Sequence, residues 1–478
     1  MQNNKSKAIK GVAWSAVERF SVQGVQFIVS IVLARLLTPE DFGLVAIVIV
    51  FSTIFQTINE SGFNTALIHK QDRDQLDYST AFVTNLLIGV VSYLLLFIAS
   101  PLIASFYENE TLIPVMRILS VNLVINAIGL VPMAIYTIRV DFKTQARASL
   151  TAAIISGAVG ISLAYMIHNV YAIVVQQIVY SIIYVSLMWM FAKYRLSFAF
   201  SKERFSHLFC FASKLIGARL ISVIFDDIYS LAIGKFYSPA VLGCYNRAQS
   251  FQQVLSKNII NIVQRVSVPM LCEQQQDYKQ MQNVLLRFMS TTAMIVYPML
   301  AGLMVLSKPI IMVLIGEQWI FASEMLLYAC PIGFFYLIST FNRNIYNATG
   351  RTDLALKTEM VKKVVFILIF LLTMKYQIQI LLFGLILISI IEMLIDATMV
   401  KKQIGLTLLK ELKSLAGIAL ATVSMSVIVY ITIAFVSSNA MKLMSGLLIG
   451  LISYVVFCYV FNIANFKNEL KHYAEKLF

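Results

Sequence analysis

Charged residues are scarce in this chain. They make up 13% of its 478 residues, whereas hydrophobic residues make up 59%. A soluble domain has about 25% charged residues, so the composition excludes a soluble globular protein and indicates an integral membrane protein. The net charge of +14 would suggest nucleic acid in a soluble protein. In a membrane protein, Lys and Arg concentrate in cytoplasmic loops, and no nucleic-acid partner is expected.

The chain also lacks the marks of a metalloprotein, a disulfide framework and an ATPase. Its five cysteines have no CxxC spacing, and His168 and His207 have no metal-ligand cluster around them. No GxxxxGK[ST] phosphate loop occurs, and no connection is long enough for a catalytic domain. We therefore expect a protein that is not an enzyme and has no cofactor or metal, with proton or sodium coupling left open. The basic N-terminus runs directly into an apolar stretch of spanning length, so no cleaved signal peptide is expected.

Long apolar runs are abundant instead. A transmembrane helix needs about 20 apolar residues, and by that measure the sequence predicts an all-α, polytopic membrane protein with about fourteen spans. The predicted spans are 11–37, 42–67, 78–106, 112–138, 148–168, 170–192, 207–236, 240–271, 284–315, 319–348, 357–374, 377–400, 414–436 and 440–461. Twelve spans are the alternative, because only His168-Asn169 separates the fifth from the sixth and the eighth is strongly polar.

The distribution of positive charge predicts the topology. Alternate connections are basic, and those between them are short and poor in cations, such as TPED, YENET and SSNA. By the positive-inside rule the basic connections are cytoplasmic. We therefore expect both termini in the cytoplasm.

An internal repeat runs through the chain at an offset of 200 residues. The matching pairs are Arg19/Arg219, Ser30/Ser230, Arg35/Lys235, Pro39/Pro239 and Gly43/Gly243. The repeat predicts an N-lobe of residues 1–200 with spans one to six and a C-lobe of residues 201–400 with spans seven to twelve. Residues 401–478 then form an extra hairpin and a cytoplasmic tail. Both halves begin on the same side, so the repeat is parallel, with a pseudo-twofold axis along the membrane normal.

Polar and charged residues interrupt the first, second, seventh and eighth spans. Each charge near a helix centre opposes insertion by about 2.5–3.5 kcal/mol, and a Leu or Ile returns only about 0.3–0.6 kcal/mol. These spans therefore need protein partners or water, and their charged residues are functional candidates. The candidate cationic substrate site consists of Arg19, Arg219, Lys214, Arg247, Lys257, Gln23, Gln26, Gln56 and Asn261. The candidate ion-coupling acids are Glu18, Glu60, Asp226 and Asp227.

The chemistry of this set suits an anionic, hydroxylated ligand. Arg and Lys bind phosphate, and amides and hydroxyls satisfy sugar hydroxyls. The alternative for Asp226 and Asp227 is a structural ion pair with Arg219, Lys214 or Lys257. Glu392 and Asp396 lie toward the inner end of the twelfth span, where we expect the cytoplasm to solvate them.

The opening sequence resembles a known family. The segments RLLTPEDFGLVA and GFNTALI, with KFYSPAVLGCYNRAQ in the second half, are similar to those of the bacterial polysaccharide transporters, the Wzx/WzxC-like flippases of lipopolysaccharide and exopolysaccharide assembly. The resemblance covers essentially the whole chain. It implies the multidrug/oligosaccharidyl-lipid/polysaccharide exporter superfamily, with two six-helix lobes in a MATE-like V and an extra C-terminal helix pair.

The function that the resemblance implies is transport of undecaprenyl-pyrophosphate-linked oligosaccharide from the inner to the outer leaflet of the bacterial inner membrane. The expected partners are that lipid-linked substrate and the bilayer, with polysaccharide polymerase and chain-length machinery as further candidates. Two alternatives stay open. A multidrug ion antiporter of the same superfamily would require an acidic cavity, and a membrane-embedded polymerase or ligase usually needs a larger outer loop than this chain has.

Overall fold

The computed structural model describes residues 21–60, 64–70, 72–192 and 198–461. Every regular element in these ranges is a helix. The packing divides the chain into two compact units, unit one up to Gly243 and unit two from Cys244 onward. The predicted lobes of 1–200 and 201–400 are halves of a sequence repeat, and that division stays a prediction.

Among its described residues, unit one contains nine helices and the start of a tenth, α10, which continues into unit two. Their bounds are α1 Ser21–Leu36, α2 Pro39–Asn59, α3 Thr65–His69, α4 Gln75–Tyr107, α5 Leu112–Leu119, α6 Val121–Ile138, α7 Phe142–Ile167, α8 Tyr171–Ala192, α9 Lys202–Phe236 and α10 Pro239–Leu255. Helix α6 packs against α4, α7 and α8, helix α7 also packs against α8, and α9 packs on α2 and α4. The seventh predicted span therefore packs with helices of the first 200 residues.

Polar residues in the connections determine where the long helices of unit one begin. The side chain of Thr38 accepts a hydrogen bond from the backbone of Asp41 at 3.3 Å, and Asp41 accepts one from the backbone of Thr38 at 3.0 Å. This capping box, with Pro39 at the first helical position, starts α2. Asp74 and Asp77 form the same reciprocal pair at the start of α4, at 2.9 and 3.0 Å. These caps explain why TPED and DQLD stand between apolar runs.

Up to residue 461, where its description ends, unit two contains the rest of α10 and eight further α-helices. Their bounds are α11 Lys257–Glu273, α12 Tyr278–Val305, α13 Ser307–Leu314, α14 Ile320–Ala348, α15 Thr352–Thr373, α16 Ile378–Ile404, α17 Leu408–Ala434 and α18 Asn439–Val460. Helix α14 lies at the centre of this unit and packs against α11, α12, α15 and α16. Its side chains Phe341, Ile345 and Tyr346 are among the most deeply buried of the unit. The final pair, α17 and α18, packs on α12 and α13.

Ten helical stretches of the described residues have the length and apolar composition to cross a membrane. This confirms the prediction of an all-helical, multi-pass membrane protein. The number fourteen stays a prediction. Four of the predicted spans fall short of those criteria: α1 is described for only 16 residues, α9 and α15 carry more charge, and the eighth span is divided into α10 and α11 of 17 residues each.

Candidate functional site

Helix α9 carries a polar face along much of its length. Arg219 and Asp226 are both exposed, and their spacing of seven residues places them on the same side of the helix, two turns apart. Asp227 is half-buried. The helix is 35 residues long, about 52 Å at 1.5 Å per residue, which exceeds the roughly 30 Å hydrocarbon core of a bilayer. Its charged middle therefore lies at membrane depth when the helix spans the bilayer.

Helices α1 and α2 contribute amides and one acid. Gln23 and Gln26 are exposed on α1, and Gln56 is half-buried on α2. Gln56 donates a hydrogen bond to Glu60, one turn further along α2. Glu60 is thus oriented by a residue of its own helix.

The remaining described candidates belong to unit two. Arg247 is half-buried on α10. Lys257 is exposed at the start of α11, and Asn261 is half-buried one turn later, so the two lie on one face of that helix. Farther along α11, Gln264 donates a hydrogen bond to Asn344 of α14 at 3.0 Å. Helix α11 thus presents one polar residue toward the centre of unit two and an exposed cation near its start.

Three predicted site residues cannot be placed. Arg19 and Glu18 lie outside the described residues, and so does the side chain of Lys214, although its backbone belongs to α9. Their roles stay predictions.

An ionic cluster connects three chain segments at the predicted cytoplasmic end of unit one. The Asp77 side chain is 1% exposed and accepts hydrogen bonds from Nζ of Lys70 at 2.7 and 2.8 Å. Arg204, at the start of α9, lies 3.5 Å from Asp77 and 3.1 Å from Asp74. The backbone hydrogen bond from Asp77, aided by the nearby cations, lowers the pKa of Asp74. The cluster fixes the start of α9 against the start of α4.

A second ion pair lies at the opposite, predicted outer end of the same two helices. Nζ of Lys235 donates to Glu108 at 2.8 Å. This hydrogen bond and the positive charge of Lys235 lower the pKa of Glu108. The adjacent Tyr107 hydroxyl donates to the carbonyl oxygen of Leu231 at 3.2 Å. Helices α4 and α9 are therefore held together at both ends.

Unit two contains a buried ionic network that the sequence did not predict. Asp396 is completely buried and accepts a hydrogen bond from Nζ of Lys362, itself 2% exposed, at 2.7 Å. Ser339 and Tyr346 of α14 also donate to Asp396. We expected the cytoplasm to solvate Asp396, and that expectation is wrong, because α14 and α15 enclose it. A cationic residue inside the apolar run 357–374 was the available signal for an internal partner.

Glu411 is a second buried acid that the sequence reading missed. The predicted spans end at 400 and resume at 414, which leaves Glu411 in a connection, but α17 begins at Leu408 and includes Glu411 in its first turn. Glu411 is completely buried, and Nδ2 of Asn342 donates to its Oε2 atom at 3.1 Å. The run Asn342-Arg343-Asn344 inside an apolar span was the detectable sign of this polar layer.

The exposed cations define what the candidate site can do. Arg219 and Lys257 would each oppose insertion by about 2.5–3.5 kcal/mol if they faced lipid, so their faces contact water or a polar ligand. In unit one Arg219 can bind an anionic group, and the amides of α1 and α2 can hydrogen-bond hydroxyls; in unit two Lys257 and Asn261 of α11 offer the same two kinds of group. Within the described residues no group of three or more His, Cys, Asp or Glu side chains is arranged to hold a metal.

Comparison with known proteins gives consistent results. The sequence profile of a family described as polysaccharide biosynthesis protein matches residues 32–324. The chain is similar to the teichuronic acid biosynthesis protein TuaB of Bacillus subtilis (strain 168), with 24% identity over 358 residues that cover 74% of each chain. It is also similar to the lipopolysaccharide biosynthesis protein WzxC of Escherichia coli (strain K12), with 23% identity over 365 residues, 76% of this chain and 74% of that one.

Among solved structures, the fold is similar to that of the lipid II flippase MurJ in an inward closed conformation. The TM-score is 0.75 at 17% sequence identity, and the match covers 94% of this chain and 98% of that structure. The predicted fold class is therefore confirmed over nearly the whole length.

Proposed function

The chain belongs to the family of polysaccharide biosynthesis proteins, and from that membership we propose that it is a flippase for undecaprenyl-pyrophosphate-linked oligosaccharide. It would move this precursor of lipopolysaccharide, capsule or exopolysaccharide from the cytoplasmic to the periplasmic leaflet by alternating access. The observation that carries the proposal is the family match over residues 32–324, in a fold shared with a lipid II flippase over 94% of the chain. It is a transporter in this proposal and not an enzyme.

The charge on the polar helices supports an anionic headgroup. Arg219 and Lys257 are exposed on α9 and α11, and Arg247 is half-buried on α10. A pyrophosphate provides several acceptor oxygens for such cations, while Gln23, Gln26 and Asn261 can bind sugar hydroxyls. A multidrug cation antiporter would call for an acidic path, which the exposed cations Arg219 and Lys257 disfavour.

The lipid part of the substrate needs no polar path. The isoprenoid tail stays in the hydrocarbon core while the headgroup crosses, because moving the tail out of the bilayer would cost about 0.8 kcal/mol for each CH₂ exposed to water. The protein therefore has to hydrate and neutralise the headgroup alone.

The energy source, orientation and location belong to the same proposal. Proton or sodium antiport would use the acids Glu18, Glu60, Asp226 and Asp227, whereas passive facilitation would need none of them. The basic connections support an orientation with both termini in the cytoplasm, in the bacterial inner membrane. A polymerase and its chain-length machinery would consume the exported precursor.

Two measurements test the proposed function. A strain lacking the protein should accumulate one lipid-linked oligosaccharide on the cytoplasmic side, which mass spectrometry would identify. Purified protein in proteoliposomes should then move that lipid between leaflets. Accumulation of an unlinked polymer, or liposomes that flip no lipid-linked sugar, would refute the proposal.

A further inference from the structure

Glu411 is a buried acid whose polar atoms are only half satisfied. It lies in the first turn of α17 with 0% exposure. Its Oε2 atom accepts the hydrogen bond from Nδ2 of Asn342 at 3.1 Å. Its Oε1 atom and the Oδ1 atom of Asn342 have no hydrogen-bond partner within the described part of the chain. A buried polar atom without a partner costs about 1–3 kcal/mol. This arrangement therefore points to a ligand that binds reversibly at these atoms.

The neighbouring acid Asp396 differs in this respect. It is equally buried but forms an ion pair with Lys362 and accepts hydrogen bonds from Ser339 and Tyr346. It therefore has a cationic partner and two hydroxyl donors inside the protein. No Lys, Arg or His lies within ion-pair distance of Glu411 in the described residues. Of the two acids, Asp396 has a cationic partner, whereas the Glu411 side chain has only the Asn342 amide as a partner among the described residues.

Both protonation states of Glu411 have structural support. Burial in apolar surroundings favours the neutral form of a carboxyl group, and Glu411 is completely buried. The N-terminus of α17 favours the ionised form, since the backbone N–H groups of a first helical turn attract negative charge. The Asn342 amide can donate to the carboxylate through Nδ2, or accept from the carboxylic acid through Oδ1 after the amide rotates.

The lysines and arginines on the surrounding helices are exposed or paired with other residues, so they do not decide between the neutral and ionised forms of Glu411. Lys410 and Lys413 on α17, Lys401 and Lys402 on α16, and Lys279 and Arg287 on α12 are exposed. Arg343 of α14 forms its ion pair with Glu359 of α15 at 3.7 Å, and Glu392 lies one turn before Asp396 on α16. On α18, Tyr454 donates to the carbonyl oxygen of Met294.

We propose that Glu411 is a proton-binding site, at which Oε1 takes up a proton and the resulting O–H donates to Oδ1 of Asn342. A proton suits the site better than a metal cation, because hard cations such as Ca²⁺ and Mg²⁺ take about six or more oxygen ligands, whereas Glu411 and Asn342 each offer one unpartnered oxygen within the described part of the chain. This site is separate from the acids Glu60, Asp226 and Asp227 considered above.

Helix α14 connects this site to the polar helix α11. Asn342 binds Glu411 on one side of α14, and two residues later Asn344 contacts Gln264 at 3.0 Å and Ser267 at 3.4 Å on α11. The same helix α11 carries Lys257 and Asn261 of the candidate substrate site. Helix α14 thus contacts Glu411 through Asn342 and α11 through Asn344. This link to transport rests on the proposed function, whereas proton binding itself does not.

Infrared spectroscopy on the purified, full-length protein tests proton binding without any substrate. Difference spectra between about pH 5 and about pH 9, a range that brackets the shifts seen for buried carboxyls, should contain the carbonyl stretch of a protonated carboxyl. That band should be absent in Glu411→Gln, which keeps the size and neutral hydrogen bonding of the protonated acid. The control Glu324→Gln removes an exposed acid of α14 and should leave the band unchanged.

The outcomes separate the two proposals. Identical difference spectra for the wild type and Glu411→Gln would overturn the proton site, whatever the protein transports. If the band is lost in Glu411→Gln, flux in proteoliposomes should also lose its dependence on the proton gradient in that variant, while flux without a gradient persists. Loss of the band with unchanged gradient dependence would keep the proton site but overturn its link to transport. Absence of flux in the wild type would refute only the proposed function.

Discussion

Gly43 and Gly243, partners in the 200-residue repeat, lie in reciprocal backbone contact. A Cβ atom added to Gly43 would overlap the carbonyl group of Pro239, and one added to Gly243 would overlap the carbonyl of Pro39 and lie 3.2 Å from the nitrogen of Gly43. The absence of a side chain at each glycine therefore leaves room for the proline that begins the other copy's helix. The first turns of α2 and α10 meet at the predicted outer end of unit one with no side chain between them.

Alanine at either glycine should weaken this contact. Because the atoms that would be displaced are backbone atoms, Gly43→Ala and Gly243→Ala should each destabilise the protein by about 1–3 kcal/mol, as overpacking does. The measurement is the midpoint of thermal unfolding in detergent. Gly24→Ala and Gly217→Ala are matched controls, because nothing lies within 4 Å of an added Cβ there. These controls should be neutral or stabilising by up to about 1 kcal/mol; equal midpoints for all four variants would contradict the packing described.

The Lys235–Glu108 pair should make stability depend on pH in the acidic range. Lys235 lowers the pKa of Glu108 in the folded protein relative to the unfolded chain. A lowered pKa means that the stabilisation is present above the unfolded-state value, about 4.3 for Glu, and is lost as the pH falls through the folded-state value. Glu108→Gln should therefore remove part of the fall in unfolding midpoint between neutral and acidic pH.

The effect should be small, since the Glu108 side chain is 81% exposed and surface ion pairs contribute little. Glu110→Gln, at an exposed neighbouring acid, is the control and should leave the pH profile unchanged. Exchange of the two charges in Lys235→Glu/Glu108→Lys should restore the pairing. A profile that Glu108→Gln and Glu110→Gln alter equally would argue against the ion pair.

The buried Lys362–Asp396 pair should show strong coupling. Lys362→Met leaves the carboxylate of Asp396 buried without a cation, which costs about 3–5 kcal/mol. The double variant Lys362→Met/Asp396→Leu removes both charges and should recover most of that loss. A double-mutant cycle from unfolding midpoints measures the coupling, and additive losses would show that the two side chains act independently.

The sequence predicted the helical membrane fold because length and hydropathy dominate there. A charge-poor run of about 20 residues has few alternatives to a membrane-spanning helix. The sequence also contains the signals for helix starts such as those at Thr38 and Asp74, because a capping residue acts on the backbone next to it.

The partners of buried charges could not be derived in the same way. Asp396 and Glu411 lie near helix ends in the sequence, and only the packing of α14 against α15 and α16, together with the start of α17 at Leu408, decides whether water reaches them. The division into packing units also depends on tertiary contacts, because α9 packs on α2 and α4 through residues far apart in sequence. The predicted cationic site was derived from insertion energy alone. That reasoning identifies residues that must avoid lipid but not what they bind.

The exposed cations of α9 and α11 give the most direct test of headgroup recognition. Arg219→Gln and Lys257→Gln each remove one charge but keep a hydrogen-bonding side chain. A hydrogen bond to a charged group contributes about 1.5–3 kcal/mol, which corresponds to a loss of about 10- to 100-fold in apparent affinity for the pyrophosphate-linked lipid. Flux of that lipid in proteoliposomes should be measured over a range of substrate densities. The loss of affinity should appear as a higher substrate density at half-maximal flux.

The control for these variants is Lys279→Gln, at an exposed lysine in the first turn of α12, which should transport normally. Arg219→Lys should recover part of the affinity, since it restores the charge without the paired donors of a guanidinium. If Arg219→Gln and Lys257→Gln keep wild-type half-saturation at normal expression, these cations are structural. The anionic headgroup would then have to bind through other residues. Arg19, the repeat partner of Arg219, would become the next position to substitute.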